Sequence, residues 1–199
     1  MAGPVVELPV TIKVAAICGS LRKASYNRGL IRAEFAAIET SKEEIDGMEV
    51  EYIEISSLPM INPDLEVDGT YPPEVEDFRR KILRADSCIF ASPDYNYSIT
   101  PPLKNALDWG SRPSNVWSGK TAAALSAVGG GRRAQYHLRQ IGVFLDLHFI
   151  NKPEFYLNAH RPPRKFNDDG DLVDSETKYK LKEVLVSLHT FTLRLRGNC

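Results

Sequence analysis

Residues 12–28 read IKVAAICGSLRKASYNR, and this stretch decides the architecture. Positions 12–18 form a short apolar run rich in β-branched residues, and the run stops at Gly19-Ser20. Such a run, closed by a turn signal, reads as a buried strand. The loop GSLRKASYNR at 19–28 leads into a helix over 25–40, where Leu30, Ile31, Ala33, Phe35, Ala36 and Ile38 fall at helical spacing. The chain therefore opens with a strand that feeds a helix through a polar loop.

The same alternation continues outward. Residues 49–55 give a second strand, 58–73 a proline-containing loop, and 74–84 a helix with Val75, Phe78, Ile82 and Leu83 on one face. Residues 87–92 give a third strand. Pro101-Pro102 opens the next helix, because the amide that proline lacks would be unpaired in a first turn anyway. Residues 120–128 form a fourth strand stopped by Gly129-Gly130-Gly131, and 133–146 a helix. A short fifth strand follows at 147–150, then a loop rich in Pro and Asn, then a last helix over 175–195. Continuous apolar strands alternating with helices imply a parallel sheet covered on both faces. The expected class is α/β: a doubly wound, five-stranded parallel sheet of order 2-1-3-4-5 in three α/β/α layers. Residues 12–196 make one domain, after a flexible segment at 1–11. Ligands of such sheets bind beyond the carboxyl ends of the strands, at the switch between the first and third. The loops after strands one, three and four are the ones to read for chemistry.

Composition narrows the classes. A chain of 199 residues suits one domain with a self-sufficient core. A net charge of −1 argues against nucleic-acid binding, and against a strongly acidic electron carrier that docks through its field. Cys18, Cys88 and Cys199 have no metal-ligand spacing and read as reduced thiols, which favours a reducing compartment. The N-terminus MAGPVVELPV lacks the pattern of a signal peptide, and no segment approaches the about 18 apolar residues of a membrane helix. A cytoplasmic protein without membrane contact is expected.

The loop after the first strand supplies the Ser20 and Ser25 hydroxyls, the Asn27 amide and the cations Arg22 and Lys23 at a helix start. Helix-start amides point outward at a positive dipole end, which suits a phosphate monoester. Singly, Ser25 reads as a helix cap and Arg22 as a solvated side chain. Together, directly after the first strand, they point to phosphate. No GxxxxGK[ST] loop occurs, and GxGxxG is absent after the strand. A Cys–five residues–Arg phosphatase loop would need arginine where Ala24 stands, so Cys18 is a strand residue and not a nucleophile.

The loop after the third strand is SPDYNYSITPPLKNALDW, residues 92–109. Pro93 ends the strand, and Asp94-Tyr95-Asn96-Tyr97 is a turn-like cluster with two aromatics. Read in isolation, the tyrosines would pack on the core. Opposite a phosphate loop, turn amides and tyrosines suit the edge and face of an isoalloxazine ring.

GSLRKASYNR followed by PDYNYSITPPLKNALDW resembles the NADPH-dependent FMN reductase family, in its soluble, chromate-reductase-like branch of NAD(P)H:quinone reductases. QYHLRQIGVFLDLHFINKPEF at 135–155 supports the same branch, and the resemblance covers roughly residues 12–195. It implies a flavodoxin-like fold and FMN. The phosphate would be held by Ser20, Leu21, Arg22, Lys23, Ser25, Tyr26 and Asn27, and the ring edge by Pro93, Asp94, Tyr95, Asn96 and Tyr97. The family usually has glutamate where Asp94 stands. The third flavin loop would be 126–133, with Ser126, Gly129 and Gly130 as its contacts, and Arg132 or Arg133 as candidates for the phosphates of NADPH. The resemblance further implies a homodimer or homotetramer. Its activity would be ping-pong: hydride from NADPH or NADH to FMN, then two electrons to a quinone-like acceptor. The alternatives are a flavin-binding electron carrier or regulator without NAD(P)H turnover, or the same enzyme acting on free FMN, azo, ferric or chromate acceptors. The four histidines have no metal spacing, Trp109 and Trp117 read as packing residues with a possible subunit contact, and 161–172 reads as a solvated loop.

Overall fold

β1 (Ile12–Cys18) is buried at every position except Lys13, because it lies inside the sheet with helices over both faces. The computed structural model in which it sits describes residues 11–40, 45, 47–128 and 132–197. The expected flexible segment, except Thr11, lies outside these residues, as do Gly129, Gly130 and Cys199.

The remaining strands and α-helices are α1 (Tyr26–Thr40), β2 (Met48–Tyr52), α2 (Pro73–Arg84), β3 (Ser87–Ala91), α3 (Pro101–Ser111), β4 (Thr121–Ser126), α4 (Arg132–Leu145), β5 (His148–Phe149), β6 (Phe155–Tyr156) and α5 (Ser175–Leu195), with a short 3-10 turn at Pro63–Leu65. The sheet order is β2-β1-β3-β4-β5 with every pairing parallel, as the apolar strands imply. Side chains alternate across it. Ile12, Val14, Ala16 and Cys18 join Leu30, Ile31, Leu181 and Leu185 under α1 and α5. Ala15, Ile17, Cys88 and Phe90 join Val75, Phe78, Leu103 and Leu138 under α2, α3 and α4. Three layers follow, α/β/α.

Local chemistry sets the helix ends. Thr100 caps α3 by accepting from the Leu103 amide, and Asp174 caps α5 by accepting from the Thr177 amide at 2.8 Å. Glu74 and Glu76 open α2 while Lys81 and Arg84 close it, each sign matched to the helix dipole.

Three expectations change. The fifth strand is split: β5 pairs with the start of β4, and the unforeseen β6 pairs Phe155 and Tyr156 with Leu125 and Ser126 at its end. The sheet therefore has six strands. Two-residue pieces carry no periodicity, so only the neighbouring edge reveals them. The segment 161–172 is a loop solvated only in part: 161–164, 168 and 169 are exposed, but Phe166 and Leu172 are buried and Phe166 stacks on Tyr26 with ring centroids 4.5 Å apart. Trp109 and Trp117 are fully buried, donating to the Pro59 and Leu107 carbonyls, and so face no subunit contact.

Candidate functional site

The carboxyl ends of β1, β3 and β4 gather the three loops singled out above. Directly after β1, the Gly19 carbonyl accepts from Thr100 Oγ1 at 2.6 Å, tying the first loop to the start of α3. A Cβ on Gly19 would come within 2.7 Å of Ser92 Oγ and 2.9 Å of Thr100 Oγ1, so only glycine lets the two loops approach this closely. Ser25 N–H donates to the Arg22 carbonyl at 3.1 Å, curling 22–25 into a turn before α1. The amides of Ser20, Leu21, Arg22, Lys23 and Ala24 find no hydrogen-bond acceptor among the described residues. Amides without a protein acceptor just before a helix of 15 residues are the kind of donors that an anion takes.

The side chains add to it. Ser20, Ser25 and Asn27 are buried polar residues. Asn27 Oδ1 accepts from the Ala127 amide at 3.0 Å, so this side chain joins the first loop to the end of β4. Arg22 lies over the Tyr26 ring, 5.5 Å from its centroid, and Tyr26 is in turn held by Phe166. Arg22 and Lys23 are exposed and form no ion pair among the described residues. Cys18 hydrogen-bonds the Ser20 carbonyl, and burial pushes its thiol above the usual range. It is a wall residue, in keeping with its reading as a strand position.

The second loop is a tight turn. Tyr95 N–H donates to the Ser98 carbonyl at 2.9 Å, and Ser98 N–H returns a bond to the Tyr95 carbonyl at 3.0 Å. Asn96 and Tyr97 between them have φ of 52° and 67°. Two consecutive left-handed residues define a type I′ turn, which favours Asn at the first place but strains a bulky residue at the second by about 1–3 kcal/mol. The amides of Asn96 and Tyr97 have no acceptor among the described residues, and Tyr95 and Tyr97 are exposed. Pro93 is buried at the strand end and Asp94 is half-buried beside it.

Two residues of α4 grip this turn from the side. The Arg133 guanidinium lies 3.6 Å from the Tyr97 ring centroid, and His137 Nδ1 is 2.6 Å from Ser98 Oγ. Sequence reading missed the Ser98–His137 contact, since 39 residues separate the pair. On the outer edge, Arg132 lies over the Tyr156 ring at 4.6 Å, and Tyr156 donates to Glu154. Burial, and then that bond, push the Tyr156 phenol up to about 12.

Ser126 ends β4 at the same crest. Its hydroxyl is fully buried and has no hydrogen-bond partner among the described residues. A buried hydroxyl without a partner costs about 1–3 kcal/mol, and the protein encloses this one on every side. A hollow of about 520 Å³ lies elsewhere, on the flank between α1 and α5, lined by Arg32, Ala33, Asp171 and Tyr179. Its Arg32 is committed to Asp171 at 2.6 Å. The donors are at the crest, which makes it the candidate site. Among the described residues no cluster of His, Cys, Asp and Glu has the makings of a metal site, and no helix is long and apolar enough to cross a membrane.

The NADPH-dependent FMN reductase family model matches residues 12–161. The chain belongs to this family. Among relatives of this FMN reductase family member, an NAD(P)H:quinone oxidoreductase of Solanum tuberosum is 64% identical over 190 residues, covering 94% of this chain and 96% of that protein. An NADPH:quinone oxidoreductase of Arabidopsis thaliana is 65% identical over 188 residues, covering 94% of each. The solved structure of FerB, a flavoenzyme NAD(P)H:(acceptor) oxidoreductase from Paracoccus denitrificans, matches with a TM-score of 0.77 at 28% identity, covering 92% of this chain and 98% of that one. The flavodoxin-like fold expected for the family is the one observed. A group with a phosphate tail and a polar-edged ring fits the residues present: one loop has cations and amides without an acceptor among the described residues, and the next has two such amides in a tight turn.

Proposed function

We propose that this chain is an FMN-dependent NAD(P)H:quinone oxidoreductase, with residues 12–196 acting as one FMN-binding unit. The observation that carries the reading is the run of unpaired amides at 20–24, set beside Arg22 at the crest of the sheet. The names of the relatives from Solanum tuberosum and Arabidopsis thaliana support the choice of acceptor.

Bound at the crest, FMN supplies hydride acceptance from NADPH or NADH and two-electron delivery to a quinone, in a ping-pong sequence. The protein does the rest by position. Ser20, Leu21, Arg22, Lys23, Ser25, Tyr26 and Asn27 form the phosphate cradle, in which amides and hydroxyls donate and Arg22 balances charge. The turn at Pro93–Tyr97 offers the Asn96 and Tyr97 amides to the ring edge, with Ser126 at the neighbouring end of β4. Tyr95 and Tyr97 flank the open side, where reductant and acceptor take turns. No side chain is required as an acid or base. Orientation and exclusion of water are the protein's contribution.

The same reading includes a homodimer or homotetramer in a reducing, cytoplasmic setting. Exposed Tyr136, Val143 and Phe144 on α4 support self-association, since apolar side chains in one patch mark contact surfaces. Steady-state NADPH oxidation by the FMN-loaded protein tests the activity. A quinone is expected to accelerate NADPH consumption and to be reduced in equal amount. Absence of NADPH oxidation with and without quinone would leave a flavin-binding protein without turnover.

A further inference from the structure

The strained turn at 95–98 has to be held by something outside itself. Its two backbone bonds close the loop but do not fix its tilt, and Asn96 and Tyr97 both occupy the left-handed region. Below it, Ile99 and Thr100 are buried and Thr100 is bonded to Gly19. On the α4 side, a side-chain hydrogen bond joins Ser98 Oγ in the turn to His137 Nδ1. Arg133 and His137 lie one helical turn apart on α4, so the stacked guanidinium and the imidazole meet Tyr97 and Ser98 from one helix face. The rest of α4 is fixed by burial of Ala134 and Leu138, and by Gln135 donating to the Phe155 carbonyl at 2.8 Å. The helix is a rigid post, and His137 transmits that rigidity to the turn.

We propose that His137 is a positioning residue: acting through Ser98, it holds the unpaired Asn96 and Tyr97 amides in the register that sets the electron affinity of the bound flavin. The inference rests on the reading of this turn as the cradle of the ring edge. Amides held toward the ring stabilise the negative charge that reduction places there. A loosened turn aligns them less well, which lowers the midpoint potential while leaving the phosphate cradle intact. His137 touches no reacting atom, so the effect should appear in the flavin's own properties before it appears as loss of fold.

The test is a double-mutant cycle on the FMN-loaded protein, with Ser98→Ala, His137→Ala and the pair combined. The readouts are the flavin midpoint potential, the visible absorption band and kcat/KM for NADPH. Either single change is expected to shift the potential negative and to lower kcat/KM by roughly three- to tenfold, the scale of one hydrogen bond. The double variant should shift no further than the singles, because both remove the same contact. His137→Asn, whose amide can reach the position of Nδ1, should recover most of the shift. Equal potentials in wild type and both single variants would overturn the inference, and so would additive shifts. If His137→Ala fails to fold, Ser98→Ala removes the same bond from the turn side and decides alone. A wild-type protein that binds no FMN would sink the underlying site reading, whereas FMN-loaded wild type with indifferent variants sinks only the role of His137.

Discussion

At the scale of single residues, the crest and the core ask opposite things of polar groups. Arg22 is exposed, unpaired among the described residues, and set over Tyr26, so its charge is available to a ligand. Arg22→Ala should weaken FMN binding by roughly ten- to a hundredfold, the scale of one charge-assisted hydrogen bond, in a fluorescence titration. Glu34 is the reverse case. It is fully buried on α1, and neither carboxylate oxygen has a hydrogen-bond partner among the described residues. Burial pushes its carboxyl well above the usual range, so the folded protein keeps a proton that the unfolded chain releases. The stability tied to this proton is fully present below the ordinary glutamate value. It falls as pH rises toward the folded-state value. Glu34→Met should therefore raise stability at pH 8 by about 1–3 kcal/mol, with a smaller gain at pH 5, measured by urea denaturation at both pH values. The sequence placed Ser20, Arg22 and Asn27 in one loop because they are neighbours in the chain. It gave no sign that Asn27 spends its oxygen on Ala127, or that His137 reaches Ser98, since both contacts join distant segments.

At the scale of elements, legibility followed length and burial. β1 at 12–18 and α5 at 175–195 match the expectation residue for residue, because long or fully apolar patterns leave one reading. β2 ends at Tyr52 rather than 55, since Ile53 and Ile55 are buried in the loop beyond the ladder. The split fifth strand and the buried anchors Phe166 and Leu172 of the 161–172 loop were illegible for a different reason: each is defined by the surface it covers. That segment meets α1 at Gly29, where an added Cβ would run into the Gly170 carbonyl oxygen. Helix preference alone would favour alanine at Gly29 by about 1 kcal/mol. The close approach reverses the sign, because forcing a methyl against backbone costs about 1–3 kcal/mol or more. Gly29→Ala should lower the urea midpoint, and a raised midpoint would show that the segment does not clasp α1.

At the scale of the whole molecule, the doubly wound sheet does one thing for function: it brings loops from residues 19–25, 93–98 and 126–128 to one crest. The outer surface offers a second feature. Val143 and Phe144 are 83% and 85% exposed at the end of α4, an unusual place for two large apolar side chains unless another surface covers them. Phe144→Asp should shift sedimentation velocity toward the protomer without lowering the thermal midpoint of that protomer, and an unchanged sedimentation coefficient would remove α4 from the contact. The central claim concerns the crest itself, and titration of flavin-free protein with FMN tests it most directly. Saturable quenching of FMN fluorescence at one equivalent per chain, with weaker binding in Arg22→Ala, is the predicted result. Fluorescence that stays at the level of free FMN throughout the titration would contradict it.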